Sequence, residues 1–334
     1  MERTSDLEAP TMKLEGHKDE VLGIAFSADG LQLASCSSDK TVCTWNVFGP
    51  VSNKWCFTGH KHSVLDVCWS PDNTHIFSGD ASGHMFLWDA SVGYRKKNWL
   101  AHTSAVNALA SGAEGITYSV GNDSFLKQWD IRSRKSAWQL KGNQPWLSVV
   151  NLPSLQSVLI SGVDGTLHLI DVRRPMLPEV PWRGNASFVS HLTRSPTGSF
   201  VGALSLEGMI SIWNVLPFTG AEDNHNNANE NEHGNETDDD RCINEWSLGS
   251  AGALMDGSLQ RCDWGQVGDA EYLTAGTKDG LVNVWRPNGE LVYQLPGHRG
   301  VVYDVALHPT QPIVASGSGD KTILVGELAA PVSE

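Results

Sequence analysis

The sequence has little that would put it in a membrane or on a nucleic-acid backbone. No run of roughly 18 consecutive apolar residues occurs, so no membrane-spanning helix is expected. Met1 to Pro10 carries charges and no apolar stretch, which is not the pattern of a secretory signal. Basic residues are scarce, 24 Lys and Arg against 38 Asp and Glu, for a formal net charge of −14. Wholesale nucleic-acid binding needs clustered cations that displace phosphate counterions, and this balance argues against it. No strong basic cluster of the nuclear-localisation type stands out. None of the cysteines, Cys36, Cys43, Cys56, Cys68, Cys242 and Cys262, forms a C-x-x-C pair, and most fall in apolar strand-like runs. They read as buried free thiols of a reducing compartment rather than a disulfide framework. Without a secretory signal the N-x-S/T sequons at Asn122, Asn185 and Asn235 carry no meaning. No Gly-rich phosphate loop, zinc-ligand pattern or nucleophile elbow appears. No cofactor, metal or small-molecule substrate is therefore expected, and His225 and His233 lack ligand spacing with any cysteine.

What is present is a repeat. Gly-His dipeptides stand at Gly16-His17, Gly59-His60 and Gly297-His298, with weaker copies at Ala101-His102, Gly142-Asn143 and Gly184-Asn185. A second series begins at Trp45-Asn46 and continues at Trp88-Asp89, Trp129-Asp130, Ile170-Asp171, Trp213-Asn214, Trp285-Arg286 and Gly326-Glu327. Its steps are 43, 41, 41, 43, 72 and 41 residues. The long step is one period plus an insert, because only one strand-like set lies between its markers. Within repeat one, Val21 to Phe26, Leu33 to Ser37, Thr41 to Val47 and Lys54 to Thr58 are short apolar runs separated by turn residues, as a four-stranded meander requires. First strands of the other repeats are expected at Val64–Trp69, Val106–Ser111, Trp146–Val150, Phe188–Thr193, Leu259–Trp264 and Val301–Leu307. The expected fold is all-β, a seven-bladed propeller over residues 11–328 with short tails at 1–10 and 329–334. The last repeat has only three strands and Thr11 to Leu14 has no partner of its own, so the N-terminal strand should complete the last blade and close the ring.

Six residues before each Trp position lies Asp39, Asp123, Asp164, Asp279 or Asp320, with Ser82 and Glu207 as substitutes. These repeat markers identify the chain as resembling the WD40 family. In that family the turn Asp bonds the Gly-His histidine, which reaches a strand Ser or Thr and the Trp indole. The resemblance implies such a network for His17, Ser37, Asp39 and Trp45, and for His60, Trp88, His102, Asp123, Trp129, Asp279, Trp285, His298 and Asp320. A nucleophile site would not recur around a ring, so these residues are expected to be structural rather than catalytic.

Further features narrow the resemblance. They are Trp129-Asp-Ile-Arg132, Asn214-Val-Leu-Pro-Phe218, Arg261-Cys-Asp-Trp264 and Leu295-Pro-Gly-His-Arg-Gly-Val-Val, in that order along the chain. Together they resemble the WD-repeat subunits of the spliceosomal U5 small nuclear ribonucleoprotein. The resemblance implies a nuclear, non-catalytic scaffold in pre-mRNA splicing. It would dock on the large core protein of that particle and meet RNA mainly through the complex. Departures are Ile170 in place of Trp, the missing Gly-His of repeat six, and a longer acidic insert. An alternative is a substrate receptor of a cullin ubiquitin ligase, since Trp129-Asp130-Ile131-Arg132 matches a W-D-x-R motif. In that case the protein could work in the cytoplasm.

Two surface features follow from the repeat. The Gly-His and turn-Asp loops share one face, and loops after the third strand open on the other. There, Arg95, Lys96, Lys97, Arg132, Arg134, Lys135, Arg173 and Arg174 are expected to form a basic arc over three consecutive blades, facing an acidic partner or RNA phosphates. The insert, Thr219 to Asp240, has eight acidic residues and almost no apolar ones, and holds over half the net charge. It is expected to be disordered and to emerge beside the arc, which it could transiently cover.

Overall fold

In repeat one, Val21–Phe26, Gln32–Ser37, Thr41–Asn46 and Asn53–Thr58 pair in sequence as an antiparallel meander. The turns are set by local chemistry. Ser27 donates its hydroxyl to Asp29, whose carboxylate accepts the Leu31 N–H. Gly30 sits at φ +73°, where a side chain would be strained, and a Cβ there would fall 2.2 Å from His308. The computed structural model describes residues 5–49, 53–178, 180–183, 188–216, 241–248 and 260–328. Across them the meander recurs, giving seven four-stranded sheets.

The sheets pack face against face around a central axis. Seven apolar clusters hold the described residues together, one at each junction between neighbouring blades. Each sheet is therefore buried on both sides. Leu33, Cys43 and Trp45 face the last blade, while Ala34, Cys36, Val42 and Phe57 face the second. This double burial explains why middle strands such as Ser157–Gly162 are buried at every position and do not alternate with solvent.

At five of the seven junctions the innermost strand also stitches to its neighbour, a side chain accepting a backbone N–H from the next blade. Asp66 accepts from Leu109, Ser148 from Leu192, Thr193 from Trp264, Asp263 from Leu307, and Asp304 from Ile24 across the closure. Each bond satisfies a buried amide that would otherwise cost roughly 1–3 kcal/mol.

Ring closure is as expected. Thr11–Glu15 pairs antiparallel with Thr322–Glu327, which leads the sheet formed with Ile313–Ser318 and Val302–Leu307. Leu7, Met12 and Leu14 bury into the junction between the last and first blades, so the N-terminal segment packs as well as pairs. The 72-residue step also resolves as an insert. Blade five takes Cys242–Ser247 as its fourth strand, paired with Met209–Asn214, and blade six begins at Cys262–Val267. The acidic stretch lies outside the described residues.

The innermost strand of blade six starts three residues later than the expected Leu259. The Arg261 N–H bonds to the Tyr303 carbonyl of blade seven instead of continuing its own sheet. Not every thiol is buried either: Cys56, on the outer strand of blade one, is exposed.

Candidate functional site

Three blades carry a complete hydrogen-bonded chain from turn to core. In blade one, His17 Nδ1 lies 3.0 Å from Asp39 Oδ2 and its Nε2 2.7 Å from Ser35 Oγ, which accepts the Trp45 indole N–H at 2.9 Å. The serine is Ser35, where Ser37 was expected. Trp45 pairs with Leu33 across the sheet, and the indole reaches the serine two positions on. Ser37, at the strand end, donates to the Asp19 carbonyl and accepts the Asp39 N–H. Blade two repeats the chain through His60, Ser78, Trp88 and an acid not anticipated, Asp80, 2.8 Å from His60 Nδ1. Ser82, the expected substitute, instead donates its hydroxyl and N–H to Asp80, and its Oγ lies 3.0 Å from His84 Nδ1. Blade three uses His102, Ser119, Asp123 and Trp129. In blade seven His298 joins Asp320 and Ser316, but Gly326 supplies no indole.

Asp279 and Trp285 do not join such a network. The chain has no histidine between His233 and His298, so blade six has no ring to link them. In blade four Gln144 takes the histidine's place and donates to Asp164 at 2.8 Å.

These groups are held within the protein by hydrogen bonds and burial. Burial alone would raise the Asp80 pKa, but hydrogen bonds from His60, Ser82 and the His84 N–H bring it down to about 2. Burial lowers the pKa of His102 against the pull of Asp123, favouring the neutral ring. Both nitrogens of His17, His60 and His102 are engaged within the protein, and these side chains are at most 1% exposed. They are out of reach of a substrate.

The expected arc is rearranged. Arg95, Lys96 and Lys97 lie in the outer strand Tyr94–Leu100, not in a loop. The preceding turn is short, because the Asp89 carboxylate accepts the Ser91 and Val92 N–H groups and Gly93 turns the chain at φ +77°. Arg95 lies over the Phe86 ring, 4.9 Å from its centroid. Lys96 pairs with Asp89 at 2.7 Å. Lys97 donates to the Ile131 and Ser133 carbonyls and so braces the blade-three turn.

Arg132 and Arg173 each fork onto the aspartate two residues before, Asp130 and Asp171, through Nε and an Nη. Arg173 holds the Asp171 pKa down at about 2. The two arginines stand on either side of a groove of about 420 Å³ between blades three and four, with Ile116, Tyr118, Pro153 and Val172 in its wall. Arg134, Lys135 and Arg174 are exposed beside them.

Sequence reasoning did not anticipate the centre of the ring. Arg261 of blade six reaches across it, donating to Asp66 and to the Leu65 carbonyl of blade two, with Asp304 of blade seven 3.7 Å away. Gly23 gives the guanidinium room, since a Cβ there would stand 3.3 Å from it. Arg261 lies in the wall between a basin of about 550 Å³ on the second face and one of about 170 Å³ on the histidine face. Burial pushes the Asp304 pKa up to about 7 despite Arg261. Burial and then the Arg261 charge push His191 down to about 3. An arginine placed between two inner-strand aspartates was visible in the sequence only with the strand register in hand.

The chain is similar to known proteins along nearly its whole length. The sequence model of the WD domain, G-beta repeat, matches residues 8–46, 52–89 and 289–325. Pre-mRNA-splicing factor cwf17 of Schizosaccharomyces pombe is 32% identical, over 98% of this chain and 90% of that protein. The U5 small nuclear ribonucleoprotein 40 kDa protein of Dictyostelium discoideum is 29% identical, and that of Homo sapiens 30%, over 98% of this chain and 87% and 86% of those proteins. With seven propeller blades and this match from end to end, the chain belongs to the WD40-repeat family that includes cwf17 and the U5 40 kDa proteins.

Proposed function

We propose that this protein is a non-catalytic docking scaffold of the U5 small nuclear ribonucleoprotein, acting in the nucleus in pre-mRNA splicing. It would bind the large core protein of that particle and meet RNA mainly through the complex. The observation that carries this reading is the similarity to splicing proteins over 98% of the chain, coupled to a rigid closed ring. A scaffold needs a fixed surface more than a reactive group, and seven doubly buried sheets supply one.

The docking surface proposed is the face that carries the loops after the third strands, at blades three and four. Its groove has an apolar wall, and Arg132 and Arg173 are held in place by their own aspartates. Arg134, Lys135 and Arg174 add exposed positive charge at the rim. That combination suits an acidic segment of a protein partner carrying an apolar side chain. The arc of eight cations thereby narrows to these two blades, because Arg95 lies over Phe86, Lys96 is paired with Asp89 and Lys97 with backbone carbonyls.

Arg134→Glu combined with Arg174→Glu should cut partner capture by at least about tenfold, as reversed rim charges lower association rates and disfavour an acidic partner. Unchanged capture by this folded variant would sink the proposed surface. Capture of a cullin adaptor in place of splicing proteins would favour the W-D-x-R reading, although Arg132 is engaged by Asp130.

A further inference from the structure

Cys43 and Cys56 stand directly opposite each other on the paired strands Thr41–Asn46 and Asn53–Thr58. Opposed residues of an antiparallel pair project to the same face, with Cα atoms about 4.5–5.5 Å apart, which lies within the range a disulfide spans. Each thiol shifts the protonation of the other. Their surroundings differ. Cys43 is buried in the junction with blade seven, 3.9 Å from Thr41 Oγ1, whereas Cys56 is exposed at the outer edge. Among the described residues no other thiol is classed as exposed.

We propose that Cys43 and Cys56 form a peroxide-responsive modification site, in which the outer thiol is attacked first and the inner thiol resolves it to a disulfide. The electrostatics agree with that division of labour. The neighbouring Cys43 thiol lowers the Cys56 pKa, outweighing partial burial, and Thr41 and the nearby His17 lower it further. The neighbouring Cys56 and burial raise the Cys43 pKa, so the inner thiol stays protonated. A lowered thiol pKa increases the thiolate, the form that reacts.

The chemistry balances with hydrogen peroxide as oxidant. The Cys56 thiolate attacks one peroxide oxygen, the O–O bond breaks, and the departing hydroxide takes up a proton as water, leaving a sulfenic acid. The Cys43 sulfur then attacks the Cys56 sulfur, losing its proton. An S–S bond forms, the S–O bond breaks, and a second water leaves. Two thiols are oxidised by two electrons and one peroxide is reduced to two waters. The product pins the outer strand of blade one to its third strand beside the His17–Asp39 pair, through Thr41, which bonds Asp39.

The test uses the full chain, folded and treated with dilute hydrogen peroxide. Free thiols are then blocked, and the protein is digested without reduction and mapped by mass spectrometry. A Cys43–Cys56 crosslinked peptide, two hydrogens lighter than its parts and lost on reduction, is the expected result. In Cys43→Ser the reaction should stop at a sulfenic acid on Cys56, trapped by dimedone, and in Cys56→Ser Cys43 should stay reduced. The wild-type map decides without either variant. Cys56 recovered as a free thiol, or joined to a cysteine other than Cys43, would overturn the proposal.

Discussion

Spacing alone misplaces single residues in this ring, and the reason is physical. The histidine and aspartate of a blade are separated by 22, 20, 21 and 22 residues in blades one, two, three and seven. A fixed offset from the Trp therefore selects Ser82 where Asp80 holds the histidine. Ser35 and Ser37 lie on the same face of one strand, and only the cross-strand register tells them apart. Asp80→Ala should destabilise by about 2–4 kcal/mol, since it removes a charged acceptor and leaves His60 Nδ1 unpartnered in the core. Ser82→Ala should cost about 1 kcal/mol or less, the value of one ordinary hydrogen bond. Urea unfolding of both checks the order, and the reverse order would restore Ser82 as the network member. His191 gives a pH test. Its folded pKa of about 3 lies below the ordinary 6.5, so its contribution to stability is full above about 6.5 and is lost as pH falls toward about 3. Asp304, raised to about 7, has the opposite sign, because the fold favours its protonated form as pH falls. A bulk stability curve mixes the two. NMR of the imidazole nitrogens should show the His191 ring neutral at pH 5, and a protonated ring there would contradict its burial beside Arg261.

Among the elements, the strands were the most legible feature, because each is bounded by turn residues and the repeat supplies several independent readings of the same pattern. The innermost strand of blade six was the least legible, since Arg261 leaves the sheet to bridge the channel and its amide pairs with another blade. In the sequence Arg95, Lys96 and Lys97 read as part of the loop after the third strand of blade two. An outer strand of a propeller meets solvent along one edge and accommodates such residues. The closing strand makes the sharpest claim at this scale. Removing residues 1–15 would expose the unpaired edge of Thr322–Glu327 and the apolar pocket that Leu7, Met12 and Leu14 fill. Loss of these three side chains alone amounts to about 5–8 kcal/mol of burial. The truncated chain should melt far below the full chain and self-associate in size-exclusion chromatography, while an unchanged melting temperature would show that the ring is stable open.

For the whole molecule, the sequence period carried the blade count, and double burial explains why the count is robust. A propeller closes only when every sheet has two neighbours, so an insert in one loop leaves the ring intact and a missing blade does not. The docking face was less legible. Charge in sequence does not show which cations are already engaged, and five of the eight in the expected arc, Arg95, Lys96, Lys97, Arg132 and Arg173, make contacts within the protein. What remains exposed gathers at the groove between blades three and four, where surface charge, an apolar wall and rigid arginine forks coincide. The central claim is that this ring serves splicing by holding proteins together. Affinity purification of the tagged full chain from nuclear extract, followed by mass spectrometry and RNA analysis, tests it most directly. Recovery of the large U5 core protein together with U5 RNA is expected, with the RNA lost when protein contacts are broken. A purification that yields neither, or that yields a cullin adaptor without splicing proteins, would contradict it.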